Sequence, residues 1–497
     1  MLQIQTFDQR AGGNVLYKAL SHPLAAEKIG LLYARLCGAV PVALYDPDGI
    51  AEPLLALYPN LPGLTGLYVH DVQQVGHVRA GHTARPLTAL PGSGARTVVI
   101  AAFDAARIAA RIKPLLSPGT AVVTLDEARL PAELMTNHSR YLDRLNFATN
   151  FVFFRDEDGL STRLVSANYW AGYGAGAVRL WLRLYGADGS TLATWEQKLT
   201  AGPGGFAIDS REVRQRFDLP PFTGQMLVHA IGVSGHDTVK YALDTYASGD
   251  GNEAAGNGAS LSCTHDANAW PSDRYAGLPA PGDDERVVLW LQNSHATPIP
   301  AGAVALDRMG AEQPVALREV VGPFATVALD VASLLPDLRW PAQIELRAGR
   351  HVVRPRYEVT RAGRTRIAHV NVERADLKPD PGIQTLPGNL GRGYLLPFPV
   401  LPCERFRTIV QPTPMAQTQA DLPLRLDVFD AAGSKVAERF LGRLARNHDL
   451  VVDLSEVTDV VAGHAELVYD FRDGGGADGW LHALFRYEDR ASGHVAE

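Results

Sequence analysis

Cysteine is scarce. Cys37, Cys263 and Cys403 are the only three in a chain of 497 residues, and they lie far apart. An odd and scattered set cannot build a disulfide framework, so a reducing compartment, the cytoplasm, is the expected location. Long apolar runs are also missing. None reaches the roughly 18 residues that a membrane helix needs, and no membrane span is expected. Charge of one sign is nowhere concentrated. The net charge of −7 is spread along the chain without a basic stripe, which excludes nucleic acid as an expected partner. The opening MLQIQTFDQRAGGN lacks the basic segment and apolar core of a secretory leader, so none is expected.

What is present is the composition of an ordinary globular protein, 46% hydrophobic and 20% charged. The length exceeds what one core serves and predicts about three or four domains. Residues 1–130 alternate strand-like and helix-like stretches. Asn14–Leu20 reads as a short apolar strand, and Ser21-His22-Pro23 opens a helix, with Pro23 suited to its first turn. Pro41–Asp46, Thr97–Phe103 and Ala121–Leu125 read as buried strands, with Asp104 placed to cap the helix after the second of these. This order predicts a Rossmann-like parallel α/β domain. Asp46 then stands where such folds place a ribose-binding acid, and is a candidate cofactor contact. The glycine fingerprint Gly-x-Gly-x-x-Gly is absent, so weak nucleotide binding at most is expected, and no cofactor is named. His70, His77 and His82 match no zinc spacing and read as a polar surface loop.

Residues 131–150 read as a connecting helical segment. Beyond them the helical period gives way to short alternating strands between Gly, Pro and Asp turns, the pattern of antiparallel β-sandwiches. The chain also matches itself. Leu182–Val213 lies over Leu426–Val457 without a gap, with Gly189 on Gly433, Ser190 on Ser434, Asp209 on Asp453 and Glu212 on Glu456. The stretch from Gly310 to Asp330 fits the same frame. Three immunoglobulin-like sandwiches are therefore expected, at 151–248, 283–375 and 395–490. A flexible tract and an ordered central loop (249–282) and a Pro/Gly-rich linker (376–394) separate them. Asp209, Asp330 and Asp453 each end a strand before a turn. Recurrence in all copies points to capping of the turn rather than catalysis.

The central loop Leu261–Pro281 collects reactive and aromatic side chains. Cys263, His265 and Asp266, joined by His236, could form a thiol-based catalytic group, and Cys263 and His265 with His229 and His236 could hold zinc. Neither spacing is a familiar one: one residue between Cys263 and His265 makes joint coordination awkward. A ligand surface is the favoured alternative. It would draw on Asn168, Tyr169, Trp170 and Tyr173 in a Gly-rich turn, with His265, Asp266, Trp270, Asp273, Arg274 and Tyr275 in the loop. The whole reads as a ligand-binding or scaffolding protein for a saccharide, a nucleotide-sugar or a protein partner, rather than as an enzyme. The rival is an enzyme with a His/Cys/Asp site between the first sandwich and the central loop. Oligomeric state is not encoded in any pattern read here.

Overall fold

The computed structural model describes residues 13–247, 274–348, 352, 355–373, 377–385, 392–459 and 462–496. Its elements fall into one parallel sheet flanked by helices, followed by antiparallel sheets. No helix among the described residues is long and apolar enough to cross a membrane.

The first unit holds helices α1 (Gly13–Ser21), α2 (Pro23–Leu36), α3 (Ala51–Leu57) and α4 (Ala106–Ile112). Its strands are β1 (Val42–Tyr45), β2 (Leu64–Val69), β3 (Val78–Arg79), β4 (His82–Pro86), β5 (Thr97–Ile100) and β6 (Ala121–Thr124). The sheet order is β3-β4-β2-β1-β5-β6, parallel throughout except for the β3–β4 hairpin. Alternation sends Val42 and Leu44 into one core with α1–α3, and Ala43 and Tyr45 into a second core with Ile112. Both faces are therefore covered, which is why β1 reads as a continuous apolar run.

The expected strand at Asn14–Leu20 is a helix instead. Leu16, Ala19 and Leu20 are at most 1% exposed, and their spacing of three and four is a helical stripe. A short run that is mostly apolar, with Lys18 its one charge, fits either period, so the sequence misled here. Asp104 does not cap α4. It sits at a φ of 52°, and the carboxylate of Asp126 accepts the Asp104 and Ala105 amides at 2.7 and 2.9 Å. The connecting segment is not an α-helix; 3-10 turns at Ala132–Leu134 and Arg144–Phe147 lead into the next strand.

Three β-sandwiches follow. The first has strands Ala148–Glu157, Leu160–Ala167, Arg179–Gly186, Thr191–Lys198, Gly205–Asp209, Phe222–Ile231 and Ala242–Ala247. The second has Arg274–Pro279, Arg286–Gln292, Ala305–Arg308, Val315–Ala316, Thr326–Asp330, Gln343–Arg347 and Arg356–Arg361. The third has Arg392–Val400, Phe406–Met415, Asp421–Asp430, Lys435–Ala445, Val452–Asp453, Gly463–Asp470 and Trp480–Asp489. Numbered one to seven within each unit, these strands pair as 4-3-6-1 on one side and 5-2-7 on the other in all three, and short strands at Arg364–His369, Asn371–Val372 and Val495–Ala496 extend the sheets of the second and third units. In the first unit a hairpin also joins strands one and two, so its halves form a continuous sheet. Each unit encloses one apolar core between its halves. The first and last strands lie on opposite sides from an immunoglobulin domain, where strand one pairs with two and seven with six. The second unit also begins earlier than expected: Arg274–Pro279, read as loop, is its first strand, with Tyr275 and Leu278 in the core.

Successive sandwiches meet through recurring devices. The turn between strands three and four of one unit abuts the loop before strand five of the next. A Cβ added at Gly189 would fall 1.9 Å from the Pro323 carbonyl, and one at Gly310 would fall 3.0 Å from Arg446 Cβ. Both glycines have positive φ, so the turn and the close approach each require glycine. A buried glutamine of strand six donates to main-chain carbonyls of the next unit: Gln225 to Asn293 and Phe324 at 2.7 Å, and Gln343 to Pro412 at 2.7 Å. Buried Arg–Glu pairs complete each junction. Arg155 binds Glu358 between the first and second units, and Arg446 binds Glu345 and Glu373 between the third and second, each with a contact of 2.8 Å.

The three recurring aspartates cap as the sequence predicted. Asp209, Asp330 and Asp453 accept the amides of Arg211, Ala332 and Ser455 at 3.0, 3.1 and 3.0 Å. Their second oxygen meets the Nε of an arginine on strand two: Arg163 at 2.9 Å, Arg286 at 2.8 Å, and Arg407. Replacing any of the three by alanine is expected to cost about 0.5–2 kcal/mol, the usual loss for an N-cap. The cost should be least at Asp330, whose partner Arg286 is 66% exposed and adds little. Urea unfolding of the single variants measures this. An unchanged midpoint at Asp209 or Asp453 would contradict the capping role.

Candidate functional site

In open α/β sheets, ligands gather beyond the carboxyl ends of the strands, where the strand order reverses. Here that point lies between β1 and β5. β1 ends in Tyr45, and Asp46-Pro47-Asp48-Gly49 turns the chain into α3. Asp46 Oδ1 accepts the Ile50 amide at 2.8 Å and closes the turn. Its Oδ2 is buried and makes no hydrogen bond, with Arg79 Nη1 of the β3–β4 hairpin 3.8 Å away. Burial raises the Asp46 carboxyl above its ordinary range, although the amides of Ala51, Ile50 and Gly49 and the Arg79 guanidinium pull the other way. Beside it, Tyr45 Oη shares a hydrogen bond with His70 Nδ1 at 3.2 Å. Partial burial raises the Asp48 carboxyl, and His70 draws it down. Tyr45 is pushed up, first by burial and then by Asp48.

This geometry disfavours a pyrophosphate. The first amides of α3 are already turned on the Asp46 carboxylate, and those before α4 on Asp126. Anions bind helix starts whose amides are open; here the protein's own carboxylates occupy both. The helix that Ser21-His22-Pro23 opens follows another helix rather than a strand, and His22 caps it, with Nδ1 accepting the Leu24 amide at 3.3 Å. What the site does offer is an unsatisfied carboxylate oxygen, an imidazole and a phenol, suited to hydroxyl donors.

The other expected site residues scatter. Trp170 is wholly buried and donates Nε1 to the His236 carbonyl at 3.0 Å. Asn168 is buried and ties down the carbonyls of Thr200 and Gly202 at 3.2 and 3.1 Å. Tyr169 donates to the Thr238 carbonyl at 2.5 Å. Only Tyr173 of this turn is exposed, at 55%, with its hydroxyl 3.0 Å from His236 Nε2. The Gly-rich turn is thus pinned core, because its aromatics close one end of the first sandwich. Tyr275 is buried and donates to the Val352 carbonyl at 2.9 Å, while Arg274 pairs with Glu312 at 3.4 Å. Cys263, His265, Asp266, Trp270 and Asp273 lie outside the described residues. His229 does not join His236; it is buried against His22, with His22 Nε2 3.2 Å from His229 Nδ1. Among the described residues no three His, Cys, Asp or Glu side chains gather as a metal site would need.

The sequence reading missed Arg79 beside Asp46, and His70 beside Tyr45 and Asp48, since these partners come from separate elements. It also missed His22, although the Ser21-His22-Pro23 signal had placed that residue at a helix start. A shallow cavity of ≈ 400 Å³ opens at the other end of the sheet, beside Arg96, Ser117 and Thr120. That is the amino end of β5 and β6, away from the usual ligand edge.

No protein family matches this chain, and no curated protein does. A solved structure of a glycosyl hydrolase family 2 member from Bacteroides cellulosilyticus is similar over 43% of this chain and 26% of that one, at 10% identity and a TM-score of 0.12. A likeness of that size carries no argument about fold or activity.

The placement of the aromatic turn has a direct consequence. Trp170→Ala should destabilise the protein by about 3–5 kcal/mol, as loss of a buried large side chain does. Tyr173→Ala should stay within about 0.5 kcal/mol. Denaturant unfolding of the two variants distinguishes core from surface; equal effects would contradict the assignment.

Proposed function

We propose that the protein is a non-catalytic binding protein that holds a neutral, hydroxyl-bearing ligand of the saccharide class at the head of a Rossmann-like α/β domain. The three immunoglobulin-like sandwiches, with their first and last strands exchanged between sheets, act as its rigid carrier. The observation that carries this reading is Asp46. A buried carboxylate oxygen that makes no hydrogen bond, with its cation Arg79 only within 3.8 Å, costs free energy, on the order of 1–3 kcal/mol, unless a partner arrives. A sugar hydroxyl is such a donor, and Tyr45, which feels both Asp46 and Asp48 and holds His70, could fix its orientation. The filled helix starts argue against a nucleotide or nucleotide-sugar, whose pyrophosphate would meet Asp46 and Asp126. The recurring polar junctions support the carrier role, and the scattered cysteines support a cytoplasmic setting.

The test follows thermal unfolding with a panel of neutral mono- and disaccharides, and with NAD, ATP and UDP-glucose. A ligand at 100 times its Kd adds about 2.7 kcal/mol of stability. A neutral saccharide should stabilise the protein and the three nucleotides should not. Asp46→Asn keeps the acceptor for the Ile50 amide but can place a donor at the second position, so it should abolish the response while the protein stays folded. A response to a nucleotide, no response to any saccharide, or an undiminished response in Asp46→Asn would overturn the reading.

A further inference from the structure

We propose that His22 and His229 form an acid-released clasp between the α/β unit and the first sandwich. Proton uptake by either ring breaks their shared hydrogen bond and lets the α/β unit lift away. His22 sits between α1 and α2, and His229 on the sixth strand of the first sandwich. They are 3% and 0% exposed, and the Trp181 ring lies 5.3 Å from His22.

The hydrogen bonds assign the tautomers. His22 Nδ1 accepts the Leu24 amide, so its proton is on Nε2 and is donated to His229 Nδ1. The proton of His229 is then on Nε2, which is buried without a well-formed hydrogen bond, the Asn146 main chain being a polar influence on the ring. Both rings are neutral, and each has its acceptor nitrogen in use. A second proton on His229 would turn Nδ1–H towards Nε2–H of His22, donor against donor. A second proton on His22 would evict the Leu24 amide from the start of α2.

The surroundings do not welcome the new charge. Lys18 of α1 faces the pair, its Nζ held by the Asp237 carbonyl at 2.7 Å. Arg179 and Arg183 face it from the third strand of the sandwich. The carboxylates nearby are committed: Glu27 of α2 to Arg183 and Glu196 to Arg179, each at 2.5 Å. Burial first, then competition with the partner ring for a proton and the charge of Arg183, drives His22 well below its ordinary value. Burial takes His229 to about 3.

The sign follows from linkage. Rings exposed by opening titrate near the ordinary imidazole value of about 6.5, whereas the closed rings stay neutral. The clasp is therefore whole above about pH 6.5 and weakens as the pH falls below it. Each proton taken up on opening raises the opening constant about tenfold per pH unit, so two protons raise it about 100-fold. This device does not depend on what the sheet head binds.

Hydrogen exchange of the intact protein, corrected for the intrinsic rate, tests the proposal at pH 7.5, 6.5 and 5.5. Segments 15–36 and Arg179–Gly186 should lose protection towards the 100-fold-per-unit slope below pH 6.5, while Asp421–Asp430 of the third sandwich keeps its own. The double variant His22→Asn/His229→Gln offers the same donors and acceptors without titrating, and should show a flat profile. If that variant does not fold, His229→Gln alone should reduce the slope to about tenfold. Unchanged protection in the wild-type protein, an equal loss in Asp421–Asp430, or a wild-type slope in either variant would overturn the clasp.

Discussion

The arrangement of the sandwiches rests on charges that are buried together with their partners. Arg155 reaches across the first junction and holds Glu358 with two contacts, at 2.8 and 3.2 Å, while Arg356 adds a third at 2.7 Å. All three residues are under 10% exposed. Taking such ions out of water costs several kcal/mol each, so the group is tolerable only when every charge is met. Burial alone would raise the Glu358 carboxyl, but Arg356 and Arg155 bring it below its ordinary range. Burial lowers Arg356 to about 10, which still leaves it charged at neutral pH. Separation of the two units would leave Glu358 short of a partner and Arg155 without one. The junction is therefore fixed by the cost of breaking it more than by the gain of making it.

Apolar contacts align what the charges lock. Phe324 carries a φ of 54°, a left-handed conformation that a bulky residue adopts only under constraint. Its ring stacks on Tyr185 at 4.8 Å and lies over Phe151 at 6.3 Å, both in the first sandwich. The second junction replaces this aromatic plug with the Met309, Met415 and Ala276 cluster and the Arg446–Glu345–Glu373 group. In the third sandwich a further ionic group is largely buried, where Arg425 meets Asp427 and Asp473, each at 3.0 Å, with the Asp427 side chain fully buried.

Much of this architecture was legible in the sequence. The shift from helical to alternating pattern near residue 150, the gapless match of Leu182–Val213 to Leu426–Val457, and the three capping aspartates all rest on local spacing, and the structure bears out the caps. The arginines that complete those caps were not legible, because Arg163, Arg286 and Arg407 sit on a neighbouring strand more than 40 residues away in sequence. The run at Val15–Leu20 gave the wrong period because it is short and mostly apolar, and even its one charged residue, Lys18, is buried. The candidate site suffered most. Trp170 and Asn168 look like ligand contacts in a Gly-rich turn, yet a buried aromatic closing a sandwich has the same local sequence. Asp46 was legible at the end of β1, but not that its carboxylate closes the turn into the next helix, where it occupies the helix start that a phosphate would need.

The central claim is that the first and second sandwiches form one mechanical unit beneath the α/β head. Scanning calorimetry of the intact protein tests it most directly, by comparing calorimetric and van't Hoff enthalpies. The account predicts that these two sandwiches melt in a single transition, which Glu358→Gln splits into two by leaving Arg155 and Arg356 buried without their carboxylate. Two separate transitions in the wild-type protein, or a Glu358→Gln profile indistinguishable from wild type, would contradict it.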